Sequence, residues 1–180
     1  MHPTKTVILA GGMGTRLRPV SYEIPKPLIP VQKKPIVNHL IEFFARYGVR
    51  EIGLVINSVH REDFNRWERY WKEKLPQSKL VIFEEEKPMG TFGYFRPLKD
   101  WIGKDPVFVS NGDHLIDFDA EKLKEAHHIH KPLVTMALVE ISDPSNYGVA
   151  VLEENNVTDF IYHTKQPSSN LISAGVYIFE

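Results

Sequence analysis

Four short apolar runs, spaced so that helices fit between them, constrain this chain more than any other feature. Thr6 to Ala10, Ile52 to Ile56, Leu80 to Phe83 and Val107 to Ser110 read as strands buried on both faces. Between the first two lies Pro35 to Tyr47, where Ile36, Val37, Leu40, Ile41 and Phe44 share one helical face. Pro35 suits the first turn of that helix, and Gly48 the position just past its end. A second helix is predicted from about His60 to Lys74, with Phe64, Trp67, Trp71 and Leu75 in one apolar stripe. At that spacing the two tryptophans suit core packing better than a stacking platform. A weaker helical stretch, Thr91 to Trp101, is expected to break at Pro97. Another helix opens at Asp119, a good N-cap, and turns Leu123 and Ala126 inward.

From about Leu133 the texture changes. Val134 to Ile141, Val149 to Leu152, Val157 to Tyr162 and Ala174 to Phe179 read as strands joined by turns rich in Pro, Asn, Ser or Gly. Alternating β and α over the first two-thirds predicts a parallel sheet, and the last third adds further strands. All 180 residues are expected to form one domain. Glu180 directly follows an apolar strand, so the sequence is expected to be cut short at its C-terminus.

Composition removes several function classes. Lys and Arg number 22 and Asp and Glu 23, a balance that argues against a general nucleic-acid binder. Without cysteine there is no disulfide scaffold, thiolate metal site or Cys nucleophile. No apolar run approaches the roughly 18 residues of a membrane span, and Val7 to Ala10 is too short for a signal-peptide core. A cytoplasmic protein is expected, with no membrane or nucleic-acid partner.

The first strand runs into Gly11-Gly12-Met13-Gly14-Thr15-Arg16-Leu17-Arg18-Pro19. The carboxyl edge of an open α/β sheet is where ligands bind. Glycines there let the backbone turn sharply and present successive N–H groups to an anion, and Arg16 and Arg18 add charge for phosphate oxygens. The loop is not a Walker A motif, because no Gly-Lys-Ser/Thr follows, and Leu17 breaks the six-residue dinucleotide spacing. Pro25-Lys26-Pro27 then holds one lysine between two stiffening prolines.

With these residues in place, the sequence resembles the sugar nucleotidyltransferases, the nucleoside-diphosphate-sugar pyrophosphorylases. The resemblance continues through Glu86-Lys87-Pro88-Met89-Gly90-Thr91-Phe92-Gly93, Asn111-Gly112-Asp113, Tyr147-Gly148-Val149 and Asn170 to Tyr177, in the family's order and over nearly the whole chain. It implies a Rossmann-like three-layer α/β/α fold with a mostly parallel central sheet. Residues 1–132 would form the nucleotide-binding half and 133–180 the sugar-phosphate half. The implied reaction joins a nucleoside triphosphate to a sugar 1-phosphate and releases pyrophosphate, without an enzyme nucleophile.

By the same resemblance, Leu9, Gly11, Gly12, Gly14, Thr15, Arg16, Glu85, Gly90, Thr91 and Gly112 are expected to bind nucleotide. Arg16, Lys26 and Asp113 would carry catalysis, with Arg16 on the departing pyrophosphate and Lys26 facing the reacting phosphates. Asp113, alone, would be an Asx-turn residue of an Asn-Gly-Asp turn; with the glycine loop at the same edge it is read as the Mg2+ ligand. Lys26, Gly148, Tyr162, His163 and Ser173 would face the sugar phosphate. His127, His128 and His130 lack partners for a structural zinc site and instead suit a helix C-terminus.

The pattern departs from the family on the sugar side. Tyr162-His163-Thr164 stands where relatives have Glu-Lys-Pro, and Ser173 stands for an asparagine. A slip of three would put Lys165-Gln166-Pro167 on the motif but would require an insertion. Phe92 and Tyr94 are bulkier than the small residues usual beside the base. Relatives also carry a second metal-binding aspartate further along, and often assemble as homo-oligomers. Three function classes stay open at this point: a nucleotidyltransferase with an unusual sugar, a regulatory nucleotide-binding module, and an interaction subunit. Pyrophosphate release separates the first two; the third predicts no thermal shift with nucleotide.

Overall fold

The computed structural model describes residues 2–86, 93, 95–162 and 169–180. In chain order the elements are β1 (Lys5–Leu9), α1 (Val20–Glu23), a small hairpin of β2 (Pro30–Val31) and β3 (Lys34–Pro35), α2 (Ile36–Arg46), β4 (Glu51–Asn57), α3 (Arg61–Trp71) and β5 (Lys79–Glu85). There follow α4 (Phe95–Ile102), β6 (Val107–Asn111), α5 (Ala120–His130), β7 (Val134–Glu140), β8 (Gly148–Glu153), β9 (Asn156–Tyr162) and β10 (Leu171–Phe179).

One eight-stranded sheet runs β5-β4-β1-β6-β10-β8-β9, with β7 paired to β10. Strands β5, β4, β1 and β6 are parallel, as their separating helices require. Leu9 pairs with Val55 on one side and Asn111 on the other, so β1 and β6 end level at one edge while β4 runs on two residues to Asn57. Strand β10 then runs antiparallel to β6 and to β7. Its register against β7 shifts between Ser173 and Tyr177, at a bulge that contains Gly175 in the left-handed region (φ 70°).

Helices cover both faces. On one, Ile8, Ile52, Leu54, Phe108 and Ile178 pack against Leu40 and Phe44 of α2, Phe64 and Trp67 of α3, and Leu123 of α5. On the other, Val7, Val55, Val107 and Val109 pack against Leu98 of α4. The alternation of Val7 with Ile8 and of Leu54 with Val55 between the two cores is the period-two pattern of a sheet buried on both sides. Burying one large apolar side chain contributes roughly 1.5–3 kcal/mol. A polar bond pins the larger core as well: Trp67 Nε1 donates to Asn38 Oδ1 at 2.7 Å, joining α3 to α2.

Several local expectations need correction. Pro35 is the N-cap of α2 rather than its first residue. Pro97 does not break α4, because it lies in the first turn of Phe95–Ile102, near the helix start, where a missing N–H costs little. Asp119 caps α5 through its side chain and Glu121 N (3.1 Å), and Leu123 is buried, but Ala126 is only half-buried. The inward position falls to His127, whose ring nitrogens meet Thr135 Oγ1 at 2.8 Å and Glu180 Oε2 at 3.1 Å. The helix-end reading holds for the exposed His128 and His130 but misses this tie to β7 and the end of β10. No helix among the described residues is long and apolar enough to cross a membrane.

Candidate active site

The shared carboxyl edge of β1, β4 and β6 brings three loops together. Gly112 N donates to Leu9 O at 2.8 Å, and a Cβ at position 112 would lie 2.7 Å from that same oxygen, so glycine is needed for the approach. Gly11 is buried beside the end of β5, and a Cβ there would collide with Glu85 Oε1. Glu85 itself is buried. By contrast, Gly12 is exposed and a Cβ on it would meet nothing within 4 Å. Gly14 takes φ 59°, and its carbonyl accepts from Ser21 Oγ at 2.8 Å. Ser21 carries no signal in the sequence pattern, yet it fastens the loop.

The glycine loop leads into a 3-10 turn, Thr15–Leu17, on which Thr15 and Arg16 are exposed. The Arg18 guanidinium stacks over the Tyr22 ring at 4.8 Å. Lys26 opens a second 3-10 turn, Lys26–Leu28, with Pro25 before it and Pro27 within it. From there Lys26 Nζ reaches Asp113 Oδ2 at 2.7 Å. Both side chains keep solvent exposure, 31% for Lys26 and 45% for Asp113. The glycine loop lies alongside, since a Cβ on Gly14 would sit 3.5 Å from Lys26 Cβ. Lys26, Asp113 and the loop therefore share one edge, and Arg16 stands on the turn that leaves it.

His114, which sequence reasoning passes over, follows immediately. Burial holds its imidazole below the usual histidine range; the Asp113 carboxylate opposes that shift and the Lys26 ammonium reinforces it. The ring packs on the β10 bulge, where a Cβ on Gly175 would come within 2.7 Å of His114 Cε1. Ser173 Oγ shares a 2.8 Å bond with Tyr177 OH and accepts from Gly175 N at 3.1 Å. Contacts thus run from Lys26 through Asp113, His114 and Gly175 to Ser173.

Gly148 and Tyr162 are register partners across β8 and β9. The tyrosine ring lies against the glycine, with Cε1 2.5 Å from where a Cβ would be. Val149 pairs with Ile172, which sets this couple beside the bulged strand. Gly90, Thr91 and His163 lie outside the described residues.

Asp113 offers hard carboxylate oxygens at an open edge, which suits a magnesium ion that takes few protein ligands and keeps several waters. No group of three or more His, Asp or Glu among the described residues could hold a metal without outside ligands. The donor set fits an ion that takes its remaining ligands from outside the protein.

The family model for nucleotidyl transferases matches residues 5–180. This chain belongs to the nucleotidyl transferase family. It is 35% identical over 179 residues to the mannose-1-phosphate guanylyltransferase catalytic subunit beta of Drosophila melanogaster, covering 98% of this chain and 48% of that protein. Mannose-1-phosphate guanylyltransferase 1 of Arabidopsis thaliana is 34% identical, with 97% and 49% covered. The chain spans about half the length of the curated relatives it matches. Among solved structures, HddC from Yersinia pseudotuberculosis complexed with GMP-PN superposes with a TM-score of 0.81 at 29% identity, covering all of this chain and 77% of that one. A UDP-glucose pyrophosphorylase complexed with UDP-glucose shares the fold, with a TM-score of 0.79 at 23% identity over 98% of this chain and 76% of that one.

Proposed function

We propose that this chain transfers a nucleoside monophosphate from a nucleoside triphosphate to a sugar 1-phosphate, giving a nucleoside-diphosphate sugar and pyrophosphate. The observation that carries the reading is the 2.7 Å approach of Lys26 to Asp113 beside the glycine loop, at the carboxyl edge of the parallel strands. A phosphate oxygen of the acceptor attacks the α-phosphorus. The new P–O bond forms as the bond to the bridging oxygen breaks, and its electron pair leaves with pyrophosphate. No side-chain nucleophile takes part, so the residues act by placing charge and orienting groups.

Leu9, Gly11, Gly12, Gly14, Thr15 and Gly112 shape the nucleotide cradle, with backbone N–H groups of the loop directed at phosphate. Glu85, behind Gly11, limits what can approach the cradle from β5, and Gly90 and Thr91 are assigned to the nucleotide side as well. Arg16 meets the departing pyrophosphate. Lys26 holds positive charge against the reacting phosphates, and Gly148, Tyr162, His163 and Ser173 border the acceptor. Asp113 would hold Mg2+; when bound, the ion neutralises phosphate charge. Guanosine and mannose are the substrates to try first, because the relatives described above carry those names and HddC was crystallised with GMP-PN. The same reading puts the chain in the cytoplasm, acting on small molecules and not on nucleic acid or membrane, with assembly into a homo-oligomer compatible.

The test is pyrophosphate release with magnesium, GTP and mannose 1-phosphate, alongside a grid of other triphosphates and sugar 1-phosphates. Turnover that needs both substrates supports the reading. Nucleotide binding without turnover would instead favour a binding module.

A further inference from the structure

Nucleotidyl transfer as described gives the imidazole that follows Asp113 no role. His114 sits directly after Asp113, and its half-buried ring is wedged between two parts of the cleft. On one side stand Asp113 and Lys26, whose charges both reach the imidazole. On the other is the backbone of the β10 bulge: a Cβ on Gly175 would lie 2.7 Å from His114 Cε1 and equally close to Asn111 Nδ2. The ring therefore fills the seam between the loop after β6, which carries Asp113, and the strand that carries Ser173.

Its hydrogen-bonding capacity is hardly used. Among the described residues its one such contact is Ser110 Oγ, 3.5 Å from Nε2, and that hydroxyl already donates to Asn111 O at 3.0 Å. Little is gained at such a length. The hydroxyl of Ser173 is committed to Tyr177 and Gly175, and the Tyr162 ring is laid on Gly148. An acceptor entering beside Lys26 would meet, in the seam, an imidazole with bonding capacity to spare.

We propose that His114 is a specificity-determining residue for the acceptor, a ring nitrogen of which hydrogen-bonds an oxygen of the sugar 1-phosphate. The proposal rests on the nucleotidyl-transfer reading of the same cleft. Glycine at 175 belongs to it: any side chain there would drive the ring out of the seam, on top of the strain at φ 70°.

The experiment combines kinetics with a direct probe. His114→Ala should raise the KM for mannose 1-phosphate by about 3- to 10-fold, the span of one net hydrogen bond, with the KM for GTP unchanged. His114→Gln, which keeps a donor and an acceptor, should recover most of the loss. His114→Phe, which fills the seam without either, should not. Equal changes in both KM values, or a Phe variant indistinguishable from the parent, would overturn the proposal and leave the ring a packing element. The direct probe is the imidazole NMR spectrum on adding mannose 1-phosphate, with and without a non-hydrolysable GTP analogue. One resonance, absent in His114→Gln, should move on addition of the sugar phosphate. If it does not move in either condition, the proposal fails even where no turnover is measurable. Absence of pyrophosphate release alone removes only the transfer reading.

Discussion

Lys26 and Asp113, 87 positions apart in sequence, meet at the carboxyl edge of the parallel strands in a 2.7 Å contact between Nζ and Oδ2. The pair is part-exposed, so it contributes little to stability, about 0–1 kcal/mol. Its value lies in where it places two opposite charges. Asp113→Asn and Lys26→Ala should each lower kcat by at least about two orders of magnitude, as loss of a positioned charge at a transition state does. Melting temperature should shift by no more than about 4 °C in either variant. A large drop in melting temperature accompanying the loss would mark the pair as structural.

Gly11 and Gly12 are adjacent but should respond very differently to the same change. Alanine at 11 must displace the buried Glu85 carboxylate, whereas alanine at 12 has open space. Gly11→Ala should therefore weaken nucleotide binding and cost about 1–3 kcal/mol, the typical penalty for disturbing a buried polar group. Gly12→Ala should leave stability unchanged. Urea denaturation with a fluorescent nucleotide titration reads both quantities.

The packing of Tyr162 and its proposed place beside the acceptor can be separated by substitution. Its ring covers Gly148 across β8 and β9, and a cross-strand contact of this kind contributes about 0.2–1 kcal/mol. Tyr162→Phe keeps the ring and should leave the denaturation midpoint unmoved while raising the acceptor KM. Tyr162→Ala should lower both stability and acceptor affinity. A Phe variant with parental kinetics would remove the hydroxyl from the acceptor site.

His127 is expected to matter to folding and not to chemistry. It ties α5 to Thr135 of β7 and to Glu180. His127→Ala should destabilise by about 1–3 kcal/mol, because the Thr135 hydroxyl loses its partner and a buried ring is removed. His128→Ala, at an exposed position, should stay within about 0.5 kcal/mol of the parent. Equilibrium unfolding of the two variants checks the difference.

The parts of this molecule that are legible in sequence are those whose cause is local. Val7 to Ala10 followed by three glycines announces a buried strand and a sharp turn within a few residues, and Ile36 to Phe44 announces α2 by spacing alone. Partnerships across the chain are not legible. His127 reads as a helix-end cation because Thr135 and Glu180, which bury it, are brought close only by the sheet. His114 escapes notice because its neighbour Gly175 lies across a strand pair and a bulge. A histidine directly after Asn-Gly-Asp is the available signal. Pro97 misleads because a proline's effect depends on its distance from the helix start, which the apolar pattern of 91–101 leaves undefined.

The fate of the α-phosphorus tests nucleotidyl transfer most directly. The chain would be given magnesium, mannose 1-phosphate and GTP labelled at either the α- or the γ-phosphorus, and the products separated. Transfer at this site requires the α label to appear in the nucleotide sugar and the γ label in pyrophosphate, with both products lost in Asp113→Asn. An α label recovered only in GTP, or a γ label released as orthophosphate, would contradict it.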